Sequence, residues 1–167
     1  RYYSENRSDA RFEELPPHLV DALISTEDAR FDSHSGLDFI GLARAIVFMG
    51  TRGGGSTITQ QLAKLLFTES YDQTGLLERA FLQKPKEWII AARLERHYTK
   101  GEILALYLNR YDFLNQAVGI KSAANIYFDK DVSELNVQES AMLVGMLKNS
   151  SLFNPLRRPE LVMNRRN

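Results

Sequence analysis

Thr99-Lys100-Gly101-Glu102-Ile103-Leu104-Ala105-Leu106-Tyr107-Leu108 holds both the start and the buried stripe of an α-helix. Thr99 and Glu102 have the spacing of a capping box, in which the hydroxyl accepts from the backbone and the glutamate reaches back. Ile103, Leu104, Tyr107 and Leu108 then recur at threes and fours, the period of one helix face. The same grammar runs outward in both directions. Leu19, Val20, Leu23 and Ile24 form a stripe behind Pro16-Pro17, and Pro17 suits a helix first turn, where its missing N–H costs nothing; this helix should end near Glu27-Asp28. An apolar stretch from Phe39 to Met49 stops at Gly50 and the Gly53-Gly54-Gly55 run, which reads as a loop. Ser56 or Thr57 can cap the next helix, whose stripe is Ile58, Leu62, Leu65 and Leu66. The polar stretch from Thr68 to Gly75 reads as a loop. From Leu76 to Tyr98 the helical period returns in Phe81, Trp88, Ile89, Ala92 and Leu94, with Pro85 predicting a kink or a fresh start. Asn136 to Glu139 offers another start, for Ala141 to Leu147, before Pro155 and Pro159. Alternating strand patterns are nearly absent. The reading is a single, all-α domain over 1–167, bundle-like or lysozyme-like.

Composition narrows the chemistry. The 167 residues are 44% hydrophobic and 25% charged, enough apolar content for a real core in one domain. Lys plus Arg is 21 and Asp plus Glu is 21, so no global field draws the chain to nucleic acid, which is not an expected partner. With no cysteine, disulfides, zinc-thiolate sites and thiol nucleophiles fall away together. His18, His34 and His97 are scattered, and no Gly-x-Ser-x-Gly elbow is present. No apolar run reaches the ~18 residues that suggest a spanning helix. The chain opens on Arg1, which reads as a piece of a longer protein whose membrane anchor, and any further domain, lie outside it.

Two carboxylates draw attention. Glu27 should sit at a helix C-terminus beside Asp28, and both the dipole and the neighbouring charge favour the protonated form, which suits a general base. Glu87 stands among Arg79, Lys84 and Lys86, cations that keep a carboxylate ionised and can hold phosphate. Read as bland surface features, the first is a solvated helix end and the second a set of helical ion pairs. Between Arg79 and Arg110 there are seven Lys/Arg against three Glu, whereas the first 40 residues carry four Arg against nine Asp/Glu. That asymmetry fits a cleft that activates a nucleophile on one side and neutralises a leaving anion on the other. Gly53-Gly54-Gly55-Ser56-Thr57 lacks the Gly-Lys-Ser/Thr ending of a nucleotide phosphate loop, so only a general anion preference at the helix start survives.

Four strings in order then carry a family resemblance. Glu27-Asp28-Ala29-Arg30-Phe31-Asp32-Ser33-His34-Ser35-Gly36 resembles the first motif of the peptidoglycan glycosyltransferases, Glu-Asp-x-x-Phe-x-x-His-x-Gly. Gly54-Gly55-Ser56-Thr57-Ile58-Thr59-Gln60-Gln61 matches the second, Gln83-Lys84-Pro85-Lys86-Glu87 resembles the third, and Lys100 to Asn109 resembles the fourth. Arg165-Arg166-Asn167 resembles the opening of a fifth. The family comprises monofunctional transglycosylases and the N-terminal domains of class A penicillin-binding proteins. The resemblance implies a lysozyme-like α fold that polymerises lipid II into β-1,4-linked glycan strands, inverting the donor carbon and releasing undecaprenyl pyrophosphate. It implies Glu27 as the base for the acceptor 4-hydroxyl and Glu87 as a second essential carboxylate assisting the leaving group, with a divalent cation (Mg or Mn) as the one cofactor to consider. It implies substrate contacts at Asp28, Ser56, Thr57, Gln60, Gln61, Lys64, Arg79, Lys84 and Lys86, shared by the inhibitor moenomycin. It places the domain at the outer face of the bacterial cytoplasmic membrane.

Two positions depart from the family pattern: Gln83 stands where an Arg is usual, and Pro85 falls inside the third motif. A lysozyme-like hydrolase or lytic transglycosylase would also use a Glu in an α cleft, but would not need the cationic cluster. A non-catalytic scaffold would not need both glutamates. Finally, projection at 100° per residue puts Ile40, Val47 and Phe48 on the same side as Arg44. Burying that Arg in a core would be costly, so this face is expected to form a small membrane-facing apolar subdomain, with the guanidinium reaching headgroup phosphate.

Overall fold

Capping chemistry decides where these helices start. The structure, a computed structural model, describes residues 9–47, 55–67 and 84–148, together with Pro155 and Glu160. Among the described residues there are seven α-helices: α1 (Pro17–Glu27), α2 (Phe39–Val47), α3 (Ile58–Phe67), α4 (Lys84–His97), α5 (Lys100–Arg110), α6 (Ile120–Phe128) and α7 (Val137–Leu147). No strand longer than the single bridge between Asp112 and Val118 occurs among them. The all-α expectation holds. No described helix is long and apolar enough to cross a membrane.

Pro17 opens α1, as its ring predicts. Thr57 caps α3: its Oγ1 accepts from Gln60 N–H at 3.2 Å while Gln60 Oε1 accepts from Thr57 N–H at 3.3 Å. Pro85 is the second residue of α4, in a first turn where its missing N–H costs nothing. Thr99 and Glu102 form the box on α5, with Glu102 accepting from Thr99 N–H at 2.7 Å. Asn136 and Glu139 do the same for α7. One start went unread in the sequence: Asp38 caps α2, its Oδ1 accepting from Gly41 N–H at 2.9 Å.

The chain divides into two compact units, residues 24–107 and residues 1–23 with 108–167. In the first, α3 packs against α4, and the buried residues include Phe31, Ile58, Leu62, Ala91, Ile103 and Tyr107. Gly36 has φ +87°, and a Cβ there would come within 3.0 Å of the Ala91 carbonyl, so only glycine lets the end of the first motif lie against α4. In the second unit, buried Asn109 accepts from Ala10 N–H at 3.0 Å and donates to Ala10 O at 2.8 Å, binding the peptide as a strand neighbour would. Gly119 (φ +86°) precedes α6, where a Cβ would meet Asn109 O at 2.9 Å. Lys121–Glu14 and Lys130–Glu139 ion pairs, at 2.9 and 2.7 Å, join its elements.

The stretch read as an apolar face is exposed. Phe39, Ile40 and Val47 of α2 are 67%, 69% and 72% exposed, which sets aside a buried core helix. Phe48 lies outside the described residues, as do the Thr68–Gly75 loop and the helical pattern up to Gln83.

Candidate active site

All the site geometry lies within the 24–107 unit. α1 ends at Glu27, leaving its side chain half-buried at the helix terminus. Gln61, on α3, donates from Nε2 to Glu27 Oε2 at 3.1 Å. The buried Tyr107 of α5 in turn donates its hydroxyl to Gln61 Oε1 at 2.9 Å.

Asp28, the next residue, ties two segments together. It is 7% exposed, and its oxygens accept from His34 Nε2 at 3.0 and 3.1 Å and from Ile58 N–H at 3.1 Å. Ile58 is the first residue of α3, so Asp28 satisfies a backbone donor that the helix cannot satisfy itself, and its charge meets the positive end of the helix. Thr57 adds a second tie by donating from Oγ1 to Gly36 O at 2.7 Å. Two segments far apart in sequence are thereby clamped edge to edge.

Between them opens a cavity of about 210 Å³, lined by residues 25–30, Asp38 and Arg44, and residues 55–57. Its charge is mixed. Glu27 supplies an acid, while Arg30 and Arg44 supply cations. Arg30 donates to Asp38 Oδ2 from Nε at 3.1 Å and from Nη2 at 2.5 Å. Burial alone would raise the Asp38 carboxyl, but the bonds from Arg30 and Gly41 N–H hold it below the ordinary aspartate value. At the Ser56 edge, Lys84 donates from Nζ to Ser56 Oγ at 3.3 Å and to Glu87 Oε2 at 2.9 Å. Glu87, 5% exposed, is not among the residues lining the cavity, and Lys84 links it to the Ser56 edge.

Glu27 thus stands at the head of a hydrogen-bonded chain and shares one cavity with two arginine side chains. Comparison with known proteins decides what kind of enzyme this is. The family profile for transglycosylases matches residues 1–167. The chain belongs to the transglycosylase family. Penicillin-binding protein 1F of Bacillus subtilis (strain 168) is 41% identical over 98% of this chain and 22% of its own length. Penicillin-binding protein 1A of Escherichia coli (strain K12) is 40% identical over 100% of this chain and 19% of its own. Penicillin-binding protein 1A of Aquifex aeolicus is 37% identical, over 98% and 22%. The chain thus spans about a fifth of the length of these relatives. As a transglycosylase, it is a peptidoglycan glycosyltransferase domain of lysozyme-like α fold, as the motifs imply.

The residues singled out in this transglycosylase fall into three groups. Glu27, Asp28, Ser56 and Thr57 line the cavity, and Gln61 and Lys84 touch residues that do. Gln60 is buried in the α3 cap, and Lys64 and Lys86 are exposed, none of them lining the cavity. Arg79, Gln83 and Arg165–Asn167 lie outside the described residues. Arg44, on the exposed side of α2, also forms part of the cavity wall. No group of three or more His, Asp or Glu side chains assembles a cation site among the described residues, and Lys84 already engages Glu87.

Sequence reasoning missed a brace behind the site. Glu95 accepts from Thr59 Oγ1 at 2.6 Å and from Lys100 Nζ at 2.9 Å. The same ammonium donates to His34 O at 2.7 Å and stands 4.2 Å from the centre of the Phe31 ring. Lys100 opens the fourth motif, and that position was its only signal.

Proposed function

We propose that this domain polymerises lipid II, using the Glu27 cavity as the place where the acceptor sugar is activated. Glu27 takes the proton of the acceptor 4-hydroxyl as that oxygen forms a bond to the donor anomeric carbon. The bond from that carbon to the diphosphate breaks, its electron pair leaves with undecaprenyl pyrophosphate, and the configuration inverts to β. The observation that carries the reading is the placement of Glu27 in a cavity walled also by Arg30 and Arg44, with the Lys84–Glu87 pair at its Ser56 edge. Proton removal and stabilisation of a departing anion need different charges in one place, and preorganised cations are effective because they need not reorient. Lys84, held by Glu87, is the described cation of the third motif that serves the leaving diphosphate, and Asp28 contributes by holding the second motif in place. Incubation with lipid II and sizing of the products tests this: glycan polymer supports transfer, and shortening of preformed glycan supports a hydrolase instead.

The leaving-group role makes its own prediction. Lys84→Ala should weaken moenomycin or lipid diphosphate binding by about tenfold at low salt, the scale of a charge-assisted hydrogen bond. Added salt should narrow the gap to wild type. Unchanged affinity at low salt removes Lys84 from the site.

The polyprenyl chain of lipid II requires work at a bilayer surface, on the outer face of the cytoplasmic membrane. The exposed Ile40 and Val47, with Phe48 following, are the residues proposed to enter it. Replacing Ile40 and Val47 with Ser should reduce liposome binding and lipid II turnover and leave the melting temperature within about 2 °C, since exposed positions contribute little to stability. A large fall in melting temperature would instead show that this face is covered by protein.

A further inference from the structure

We propose that Tyr107 is a positioning residue for the Glu27 carboxylate, acting through Gln61. The inference rests on the reading of Glu27 as the base and adds the groups that aim it. An ionised carboxylate only accepts hydrogen bonds, so Gln61 must present its NH₂ rather than its carbonyl to Glu27. Nothing in an isolated glutamine makes that choice, because its amide can turn over. Tyr107 makes it. Its hydroxyl donates to Gln61 Oε1 at 2.9 Å, which commits the carbonyl end and turns Nε2 to Glu27 Oε2 at 3.1 Å.

The relay has a fixed end and a mobile end. Tyr107 is 1% exposed, its ring held in the buried face of α5 with Ile103 and Leu104. Gln61 is half-buried on α3, and Glu27 is the last residue of α1, at the cavity. A glutamate at a helix end has three side-chain torsions to order, and a base must be aligned before the hydroxyl arrives. Holding Oε2 from the core fixes the plane of the group, so the second oxygen can meet a sugar hydroxyl without that search. Tyr107 is not among the residues that line the cavity, so it acts on Glu27 through Gln61.

The test is Tyr107→Phe in the full chain, which removes the hydroxyl and keeps the ring. Selective ¹⁵N-glutamine labelling reads the Gln61 side-chain amide directly, assigned by its loss in Gln61→Ala. The amide should be ordered in wild type and become as mobile as exposed glutamines in Tyr107→Phe. With lipid II, kcat should fall about five- to tenfold, the scale of one buried hydrogen bond, while KM stays within about twofold. In a Gln61→Ala background the same Tyr107→Phe change should cost less than about 1.5-fold, because the relay is already cut. An amide equally ordered in both proteins overturns the positioning role whatever the activity. So does an equal loss of kcat with and without Gln61, which would make Tyr107 a packing residue. A wild-type chain that makes no polymer would overturn the proposed function separately, and the amide measurement would still decide whether Tyr107 holds Gln61.

Discussion

Glu27→Gln should abolish glycan polymerisation, lowering turnover by about 10²–10⁴-fold, and leave the fold and donor binding intact. Gln is nearly isosteric with Glu, so the helix end and the cavity wall keep their shape. Only the capacity to take a proton is lost. The substitution also places an amide against the Nε2 of Gln61, which can still pair with a side-chain carbonyl. Two measurements check the expectation: polymer yield from lipid II, and the melting temperature, which should move little. Polymer made at a near-normal rate would remove Glu27 as the base, however well it sits in the cavity.

Asp28→Ala should be the most destabilising single change at the site. Its carboxylate serves buried donors on two sides, the Ile58 N–H and His34 Nε2, and truncation leaves both without their acceptor. Each unsatisfied buried donor costs about 1–3 kcal/mol, so a loss of about 3 kcal/mol is expected in urea unfolding. His34 has little to fall back on, since its Nδ1 is buried without a hydrogen-bond partner among the described residues. Asp28→Asn retains an acceptor for one donor and should cost roughly half as much. Turnover should fall in both variants, because the clamp sets where Ser56 and Thr57 stand. A change below about 0.5 kcal/mol for Asp28→Ala would mean that Asp28 serves substrate rather than the framework.

Local signals in the sequence located most helix starts because capping is local chemistry. Thr57 with Gln60, Thr99 with Glu102 and Asn136 with Glu139 each satisfy orphan donors within three residues, and each is visible as a spacing. Pro85 was legible as a kink or a fresh start, and its place in the first turn of α4 required knowing where the helix begins. α6 escaped notice because Gly119 precedes it with φ +86° and no side-chain cap, although Ile120, Ala123 and Ala124 do share a buried face. The loop before it is built from Leu114, Asn115 and Gln116 at positive φ, a conformation that of the three only asparagine favours.

The site was legible in its letters and not in its wiring. Glu27 and Glu87 stood out from charge context; Glu27 lines the cavity, and Glu87 is tied to its Ser56 edge through Lys84. Asp28 gave no signal beyond its charge beside Glu27 and its motif position, Tyr107 none beyond its motif position, and Glu95, outside the motifs, none at all. Their partners are 30, 36 and 46 residues away, distances over which no periodicity reports.

The claim on which the rest depends is that the acceptor sugar binds in the Glu27 cavity. A crystal structure of the Glu27→Gln full chain with lipid II, which should bind without turning over, tests it most directly. The account predicts a sugar 4-hydroxyl within about 3.2 Å of the residue 27 side chain, between the 25–30 turn and Ser56–Thr57. A sugar ring seated elsewhere, with the cavity empty of substrate, would contradict it.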